Sequence, residues 1–155
     1  MGMLDDDMKK MIRQQRMGFI ATVSPEGLPN LSPKGTTSVW DDDHLIFADL
    51  GSPDTVRNLE NNPACEINVL DYFSRKGYMI KGQAQVLTEG ELFDSIHTKV
   101  TANRSSRAYP SSRYVIVEIQ EVSMMISPGY SSGQSESEMR NQWHKHWNEV
   151  HSENS

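Results

Sequence analysis

The sequence predicts a mainly β protein, a small and mostly antiparallel barrel with a few peripheral helices. Apolar stretches with the alternation or the β-branched content of strands outnumber those with helical spacing. Turn signatures rich in proline and glycine separate the strands, and the chain contains no internal repeat. A chain of 155 residues with 36% hydrophobic residues can bury a core, so we expect a single domain over residues 1–155.

The first half of the chain is predicted to contain one helix and three strands. A short amphipathic helix is expected within residues 1–16. Its apolar residues recur at helical spacing and are Leu4, Met8, Met11 and Ile12. The apolar run Gly18 to Val23 and the turn after it predict a hairpin, whose second arm extends from Asn30 to Trp40. A third strand, His44 to Leu50, follows an acidic turn, and the three strands form a meander.

The second half is predicted to add three strands and more helices, which makes six strands in all. Ser52 and Pro53 begin a short helix that Pro63 ends, since serine is a favourable N-cap and proline fits the first turn. Gly82, in the middle of a strand, predicts a bend or a close approach of the backbone. The remaining elements are strands at 64–70, 77–87 and 111–126, a helix from about Glu89 to Asn103, and a linker with a carboxy-terminal helix at 127–155.

The composition narrows the range of partners. A formal net charge of −6 opposes binding to the phosphate backbone of a nucleic acid, so no nucleic-acid partner is expected. No apolar run approaches the ~20 residues that span a bilayer, and the amino-terminal segment is too polar for a signal peptide. We therefore expect a cytoplasmic protein without a membrane partner. The single cysteine, Cys65, lies in an apolar strand stretch and is expected to be a buried structural thiol.

Two stretches have the composition of anion sites. In Lys34 to Thr37, a glycine beside a lysine and two threonines lets the backbone approach a phosphate while the side chains donate hydrogen bonds. At the Ser52 to Thr55 turn, free N–H groups and the helix dipole point outward, and Arg57 and Asn58 add donors. Each stretch alone also fits a simpler interpretation, a solvated strand lysine in the first case and an ordinary helix start in the second. Together, the two stretches can hold one phosphate between them.

Five short motifs follow one another in the order "GFIATVSPEGLPNLSPKG", "LIFAD", "DTVRNLENNP", "EINVL" and "GYMIKGQAQVL". In this order they resemble the pyridoxamine 5'-phosphate oxidase-like flavin-binding proteins, which have the split β-barrel fold. The resemblance covers roughly Met11 to Ile126. It implies a six-stranded antiparallel split barrel that binds FMN at the interface of a homodimer.

The resemblance also implies a set of cofactor-binding residues. They are Pro33, Lys34, Gly35, Thr36, Phe47, Ala48, Thr55, Arg57, Asn58 and Lys81. The residues from Pro33 to Thr36 line the ribityl and phosphate region, and Phe47 and Ala48 lie against the flavin ring. Many relatives have arginine or lysine just before the threonine of the phosphate site, whereas this chain has Asp54. Lys34 and Arg57 then have to supply the compensating positive charge.

The function implied by the resemblance is that of an FMN-binding oxidoreductase with a small-molecule substrate. No side chain is assigned a catalytic role, because the flavin carries the redox chemistry. The activity that names the family is not expected, since the tail "HKHWNEVHSENS" does not match the arginine and histidine motif of the true oxidases. The alternatives are an electron carrier or flavin store without turnover of its own, and a relative that binds deazaflavin or haem.

The carboxy-terminal helix carries aromatic and imidazole side chains whose role the sequence leaves open. Met139, Trp143 and Trp147 share one face at fourfold spacing. The tryptophans either pack in a dimer or cap a substrate pocket whose floor is Gly82. The tail histidines His144, His146 and His151 lack the fourfold spacing of helical metal ligands, so no metal site is expected.

Overall fold

The computed structural model describes residues 2–102 and 111–155, and this part of the chain contains seven strands and five helices. The strands are β1 (Gly18–Val23), β2 (Pro29–Lys34), β3 (Ser38–Val39), β4 (His44–Ala48), β5 (Ala64–Asp71), β6 (Lys76–Leu87) and β7 (Tyr114–Ile126). The helices are α1 (Asp6–Gln15), α2 (Pro53–Asn61), α3 (Glu91–Ala102), α4 (Pro128–Ser131) and α5 (Glu136–Glu153).

The strands form one antiparallel sheet in the order β2-β1-β5-β6-β7-β4-β3. β2 and β3 are the two edges of this sheet, yet only residues 35–37 connect them in the chain. Such a link spans at most about 14 Å, so the two edges must lie close together and the sheet curls into a barrel with an open seam. The predicted fold class, an antiparallel split barrel, is confirmed.

The described residues contain seven strands where the sequence predicted six. The single arm expected from Asn30 to Trp40 is broken at Gly35, where the Thr37 hydroxyl donates to the Lys34 carbonyl at 2.8 Å and closes a turn. The chain thereby leaves the β1–β2 edge and pairs with β4 on the opposite edge. The arm thus pairs with β1 and with β4, as the expected meander requires, but it does so as two separate strands, and β4 also pairs with β7.

The barrel encloses a core of apolar residues from alternate positions of the strands. Its buried members are Leu4, Ile12, Ile20, Leu45, Phe47, Leu59, Cys65, Ile67, Val69, Tyr78, Ile80, Val115, Val117 and Ile119. The intervening residues Ile46 and Ala48 of β4 point the other way and pack under α3 with Ile96. Cys65 is buried as expected, and burial raises the pKa of its thiol to about 12.

The helices agree with their predicted positions and have narrower limits. The Asp5 carboxylate caps α1 by accepting the Met8 N–H at 2.8 Å. Ser52 occupies the N-cap position of α2, but its side chain makes no capping hydrogen bond. α3 ends at Ala102 within the described residues, and the expected end at Asn103 lies outside them.

Gly82 marks an irregularity in β6, as its position in mid-strand predicted. The pairing with β7 shifts register between Lys81 and Gly82. A Cβ at Gly82 would overlap the Glu118 carbonyl oxygen and come within 2.6 Å of Val117. Only glycine therefore fits this close approach of the two strands.

The segment expected to be a flexible linker contains the short helix α4, and α5 follows it. A capping box of Ser135 and Glu138 begins α5. Arg140 binds the buried Asp71 carboxylate of β5 at 2.8 Å, and the His144 ring stacks on Phe73 in the β5–β6 turn at 4.1 Å. The first half of α5 is thus attached to this turn.

Candidate functional site

The two stretches with the composition of anion sites lie next to each other in the fold. Ser32 of β2 and Ser52 at the start of α2 have their hydroxyl oxygens 3.4 Å apart. Ser32 is two residues before Lys34, and the two side chains share the inner face of the sheet, since they pair with Ile20 and Gly18 of β1. We call the region formed by Ser32 to Thr36 and the start of α2 the cradle.

Lys34 is the most unusual residue of the cradle. Only 5% of its surface is exposed, and its ammonium has no hydrogen bond or ion pair with any described residue. Burial lowers the pKa of Lys34, and the Asp49 carboxylate acts in the opposite direction. A buried cation without a partner is costly, so this position favours the binding of an anion.

The turn after Lys34 presents backbone and hydroxyl groups to the same region. The Ala48 N–H donates to the Thr36 hydroxyl at 2.8 Å, which holds the turn against the end of β4. A Cβ placed on Gly35 would have a single described neighbour within 4 Å, the Arg16 carbonyl at 3.9 Å. The space beside Gly35 is therefore open, and a ligand can approach its backbone closely.

Two further charged residues, Asp49 and Arg113, lie beside the cradle. The sequence analysis predicted neither of them. Their side chains form an ion pair of 2.8 Å in which the carboxylate is almost fully buried. Asp49 also accepts the Ser52 N–H at 3.0 Å, which ties the start of α2 to the end of β4. Together with Lys34, the region has two positive charges and one negative charge. Arg113 lies far from the cradle in the sequence and shows no local signal that would have revealed it.

Thr55 and Asn58 of α2 are buried against β1 instead of facing solvent. The Asn58 amide donates to the Thr22 hydroxyl at 3.1 Å. Three side-chain oxygens here are buried without a hydrogen-bond partner among the described residues. They are the amide oxygens of Asn58 and of Asn30 in β2, and the Thr55 hydroxyl. The Thr22 hydroxyl can donate as well as accept, so the Asn58 side-chain amide can also take the flipped orientation. In that orientation its oxygen accepts from Thr22 and its NH2 group is free to donate to a ligand. The inner face of β1 and β2 beside α2 thus has unused hydrogen-bonding capacity.

Asp54 and Arg57 lie on the solvent side of α2. They form an ion pair of 2.7 Å, and both side chains are more than half exposed. Arg57 is therefore engaged by Asp54, and it is not directed at the buried side of the helix. The negative charge that departs from the family pattern is balanced locally.

The remaining sequence-predicted site residues are distributed over three places. Ala48 touches the cradle through its N–H group. Phe47 has no exposed surface because its side chain belongs to the barrel core, so only its backbone is available to a ligand. Pro33 and Lys81 lie on the outer face of the sheet, where Lys81 forms an ion pair of 3.5 Å with Glu121.

The structure does not bring Gly82 and Trp143 together around a pocket. The space beside Gly82 is filled by β7. Trp143 packs under the Arg75 guanidinium, 3.4 Å from its ring centre, at the β5–β6 turn. The alternative in which Trp143 caps a pocket with Gly82 as its floor is therefore wrong.

Within residues 2–102 and 111–155, no group of three or more His, Cys, Asp or Glu side chains is arranged to hold a metal ion. None of the helices in this part of the chain has the length and apolar composition needed to cross a bilayer.

The curled antiparallel sheet, open between β2 and β3, defines a split-barrel protein. The buried Lys34 beside the start of α2 makes the cradle its candidate anion site. The sequence model of the pyridoxamine 5'-phosphate oxidase family matches residues 4–126, which is most of the chain. The protein belongs to this family. None of the curated proteins matches the sequence closely.

Solved structures agree with this assignment. HupZ of Group A Streptococcus is 27% identical with a TM-score of 0.72, over 79% of this chain and 100% of that one. An FMN-binding protein of Syntrophomonas wolfei is 21% identical with a TM-score of 0.64, over 76% and 82% of the two chains. An F420 reductase is 17% identical with a TM-score of 0.60, over 77% and 98%. The last two similarities concern the fold alone.

Proposed function

We propose that the protein is a cytoplasmic FMN-binding oxidoreductase that acts on a small molecule as a homodimer. The observation that carries the proposal is the buried Lys34 ammonium without a partner, beside the start of α2. The family and the FMN-binding relative with the same fold support FMN as the ligand.

The residues of the cradle fit the phosphate group of FMN. Lys34 supplies a positive charge in a site with little water, where a charge-assisted hydrogen bond is strong. The open space beside Gly35 admits a phosphate or a ribityl chain. Thr55 and Asn58 would bind the same phosphate through their unused donor groups, after the Asn58 amide has turned. The positions of the other predicted site residues give less direct support for a role in binding FMN. These residues are Arg57, Phe47 and Lys81.

FMN, when bound, supplies the transfer of electrons or hydride, and the chain binds and orients it. The Asp49–Arg113 ion pair keeps the start of α2 next to the end of β4. This contact holds the start of α2 near β2, where the Ser52 hydroxyl lies 3.4 Å from that of Ser32. The helix dipole then adds to the attraction for a negative charge.

The homodimer is supported by an uncovered apolar surface. The outer face of β1 and β2 is formed by Phe19, Ala21, Val23, Pro29, Leu31 and Pro33. Leu31 is 65% exposed and Val23 is 39% exposed. A contiguous apolar face of this kind on a small domain marks an interaction site.

The experiment that tests the proposal combines an absorption spectrum with an FMN titration of the wild type and of Gly35→Ala. We expect the purified protein to bind FMN and to show a flavin spectrum. Gly35→Ala is expected to weaken FMN binding about tenfold while the melting temperature without cofactor stays unchanged, because the new methyl group meets only the Arg16 carbonyl.

Gly35→Ala distinguishes an effect on FMN binding from an effect on the stability of the fold. Unchanged FMN affinity in this variant would show that the phosphate does not approach the cradle. A deazaflavin or haem spectrum would show that the cofactor is one of the alternatives to FMN. A flavin that binds tightly but is reduced and reoxidised without turnover of any substrate would indicate a carrier or store.

A further inference from the structure

Asp49 connects three elements of the barrel beside the cradle. One of its carboxylate oxygens accepts the Ser52 N–H at 3.0 Å, and the other binds the Arg113 guanidinium at 2.8 Å. Its backbone carbonyl accepts the Ser111 hydroxyl at 2.8 Å, and its N–H donates to the Arg113 carbonyl at 3.1 Å. The carboxylate therefore has a fixed position between the end of β4, the start of α2 and the residues before β7.

A buried carboxylate beside an anion site needs an explanation. Only 5% of the Asp49 side chain is exposed, and its charge repels a phosphate in the cradle. The hydrogen bond with Ser52 requires an oxygen but no charge, and asparagine would supply that oxygen. Arg113 does not require a buried partner either, because 36% of its side chain is exposed and can be solvated. These contacts fix the position of Asp49 but do not account for its charge.

The buried Lys34 ammonium accounts for the charge of Asp49. Burial lowers the pKa of Lys34, whereas the Asp49 charge acts to raise it. This interaction is effective without a direct contact, because charges in the interior are screened less than charges in water. Only the protonated amine attracts an anion, so a neutral Lys34 would leave this side of the cradle without a positive charge.

The other charged groups around the cradle are more exposed to water than the Asp49 side chain. They are Arg16 at the end of α1, Asp54 and Arg57 on α2, and Arg113 before β7. Water screens the effect of such groups on a buried charge, and the two charges on α2 balance each other. Asp49 is therefore the charge that acts on Lys34 through the protein interior.

We propose that Asp49 is a positioning residue that keeps the Lys34 ammonium charged, so that the cradle binds its anionic ligand equally well at neutral and mildly alkaline pH. This inference rests on the proposed function and concerns the regulation of the same site. Asp49 weakens the attraction for the phosphate directly, but it maintains the protonated lysine, whose charge-assisted hydrogen bond is stronger than that of a neutral amine. Without the carboxylate, Lys34 and Arg113 repel each other, and the buried lysine is the one that can lose its proton.

The decisive experiment compares the pH dependence of FMN binding in the wild type and in Asp49→Asn. Asparagine keeps an oxygen for the Ser52 N–H and removes the charge. The dissociation constant of a ligand that needs a protonated group rises about tenfold per pH unit above the pKa of that group. We expect the ratio of the two dissociation constants, variant over wild type, to increase at least about threefold from about pH 7 to about pH 9.5, where the FMN phosphate stays ionised. A purely structural role of Asp49 would change the affinity by the same factor at every pH.

Thermal melting without cofactor measures the same effect independently of FMN. Burial holds the native pKa of Lys34 below that of an unfolded lysine, so the contribution of this group to stability rises with pH between the two values. We expect this rise to begin at lower pH in Asp49→Asn. In a Lys34→Met background, the same substitution is expected to leave the pH profile unchanged. Comparing the two backgrounds removes the contributions of the other titrating groups.

The matched control is Asp42→Asn, which removes an exposed carboxylate that pairs with Lys9 outside the cradle. We expect this control to leave the pH dependence of FMN binding unchanged. If Asp49→Asn fails to fold, Arg113→Gln takes its place and is expected to have the opposite effect, because the remaining carboxylate then holds the Lys34 proton more tightly.

The outcomes separate this inference from the proposed function. Parallel pH profiles of Asp49→Asn and the wild type, in binding and in melting, would overturn the inference and leave the proposed function intact. For Arg113→Gln, a ratio of dissociation constants that stays constant or rises with pH would overturn it as well. A wild type that binds no FMN would contradict the proposed function, and the melting profiles would still decide whether Asp49 keeps Lys34 charged.

Discussion

Replacing Lys34 by methionine is expected to stabilise the protein without cofactor and to weaken FMN binding in the same variant. Methionine keeps an apolar stem of similar length in place and removes an ammonium that is 5% exposed and has no partner among the described residues. A buried polar group without a hydrogen bond costs about 1–3 kcal/mol, and a charge costs more. Attraction to the Asp49 carboxylate offsets part of this cost. We expect a net gain of about 1–2 kcal/mol, which raises the melting temperature by about 2–8 °C.

The pH dependence of stability provides an independent readout. Burial holds the pKa of Lys34 below its ordinary value, so the native state releases this proton more readily than the unfolded state. The cost of the charged form therefore decreases as the pH rises from the native pKa toward about 10.4, the pKa of an unfolded lysine. The stability advantage of Lys34→Met is expected to be largest at neutral pH and to shrink across this window.

FMN binding is expected to change in the opposite direction. A hydrogen bond to a charged group contributes about 1.5–3 kcal/mol, so the dissociation constant of Lys34→Met should rise about 10- to 150-fold. Calorimetric melting without cofactor and titration with FMN measure the two effects, and Lys10→Met, at an exposed position of α1, is the control that changes neither. A melting temperature of Lys34→Met at or below that of the wild type would refute the claim that the Lys34 ammonium is buried without a partner. Unchanged affinity for FMN would show that Lys34 does not bind the cofactor.

Two further predictions concern acidic residues. Asp54→Arg places a positive charge on the first turn of α2 and is expected to tighten FMN binding about two- to fivefold at low ionic strength, with the gain lost in about 1 M salt. FMN titrations at both salt concentrations test this. A lower melting temperature with unchanged affinity would show that the phosphate does not bind at this helix. Burial works to raise the pKa of Asp71, but hydrogen bonds from the following turn and the Arg140 charge outweigh it and hold the pKa below its ordinary value. Because the unfolded carboxylate binds protons at higher pH than the native one, the stability from Asp71 is present at neutral pH and is lost as the pH falls below about 4. Asp71→Asn should therefore be less stable at pH 7 and lose less on acidification in thermal melts, whereas parallel pH profiles would show that α5 is held by other contacts.

Local patterns in the sequence were sufficient for most elements. The helical spacing of Leu4, Met8 and Ile12 predicts α1, and the Ser-Pro pair before Thr55 predicts α2, because these signals depend only on neighbouring residues. The division of the arm at Gly35 was not predictable, since β3 exists only through its pairing with β4. A strand of two residues has no periodicity of its own.

The sequence by itself determined the fold class, the order of the elements and the membership of Lys34 and Gly35 in a candidate anion site. These features follow from residue types at short spacing, which one stretch of chain contains completely. The tertiary structure alone decided that Lys34 is buried without a partner, that Asp49 and Arg113 join the cradle, and that Arg57 and Phe47 point elsewhere. Burial and charge balance depend on which strands meet across the curled sheet, and these contacts join residues far apart in the chain.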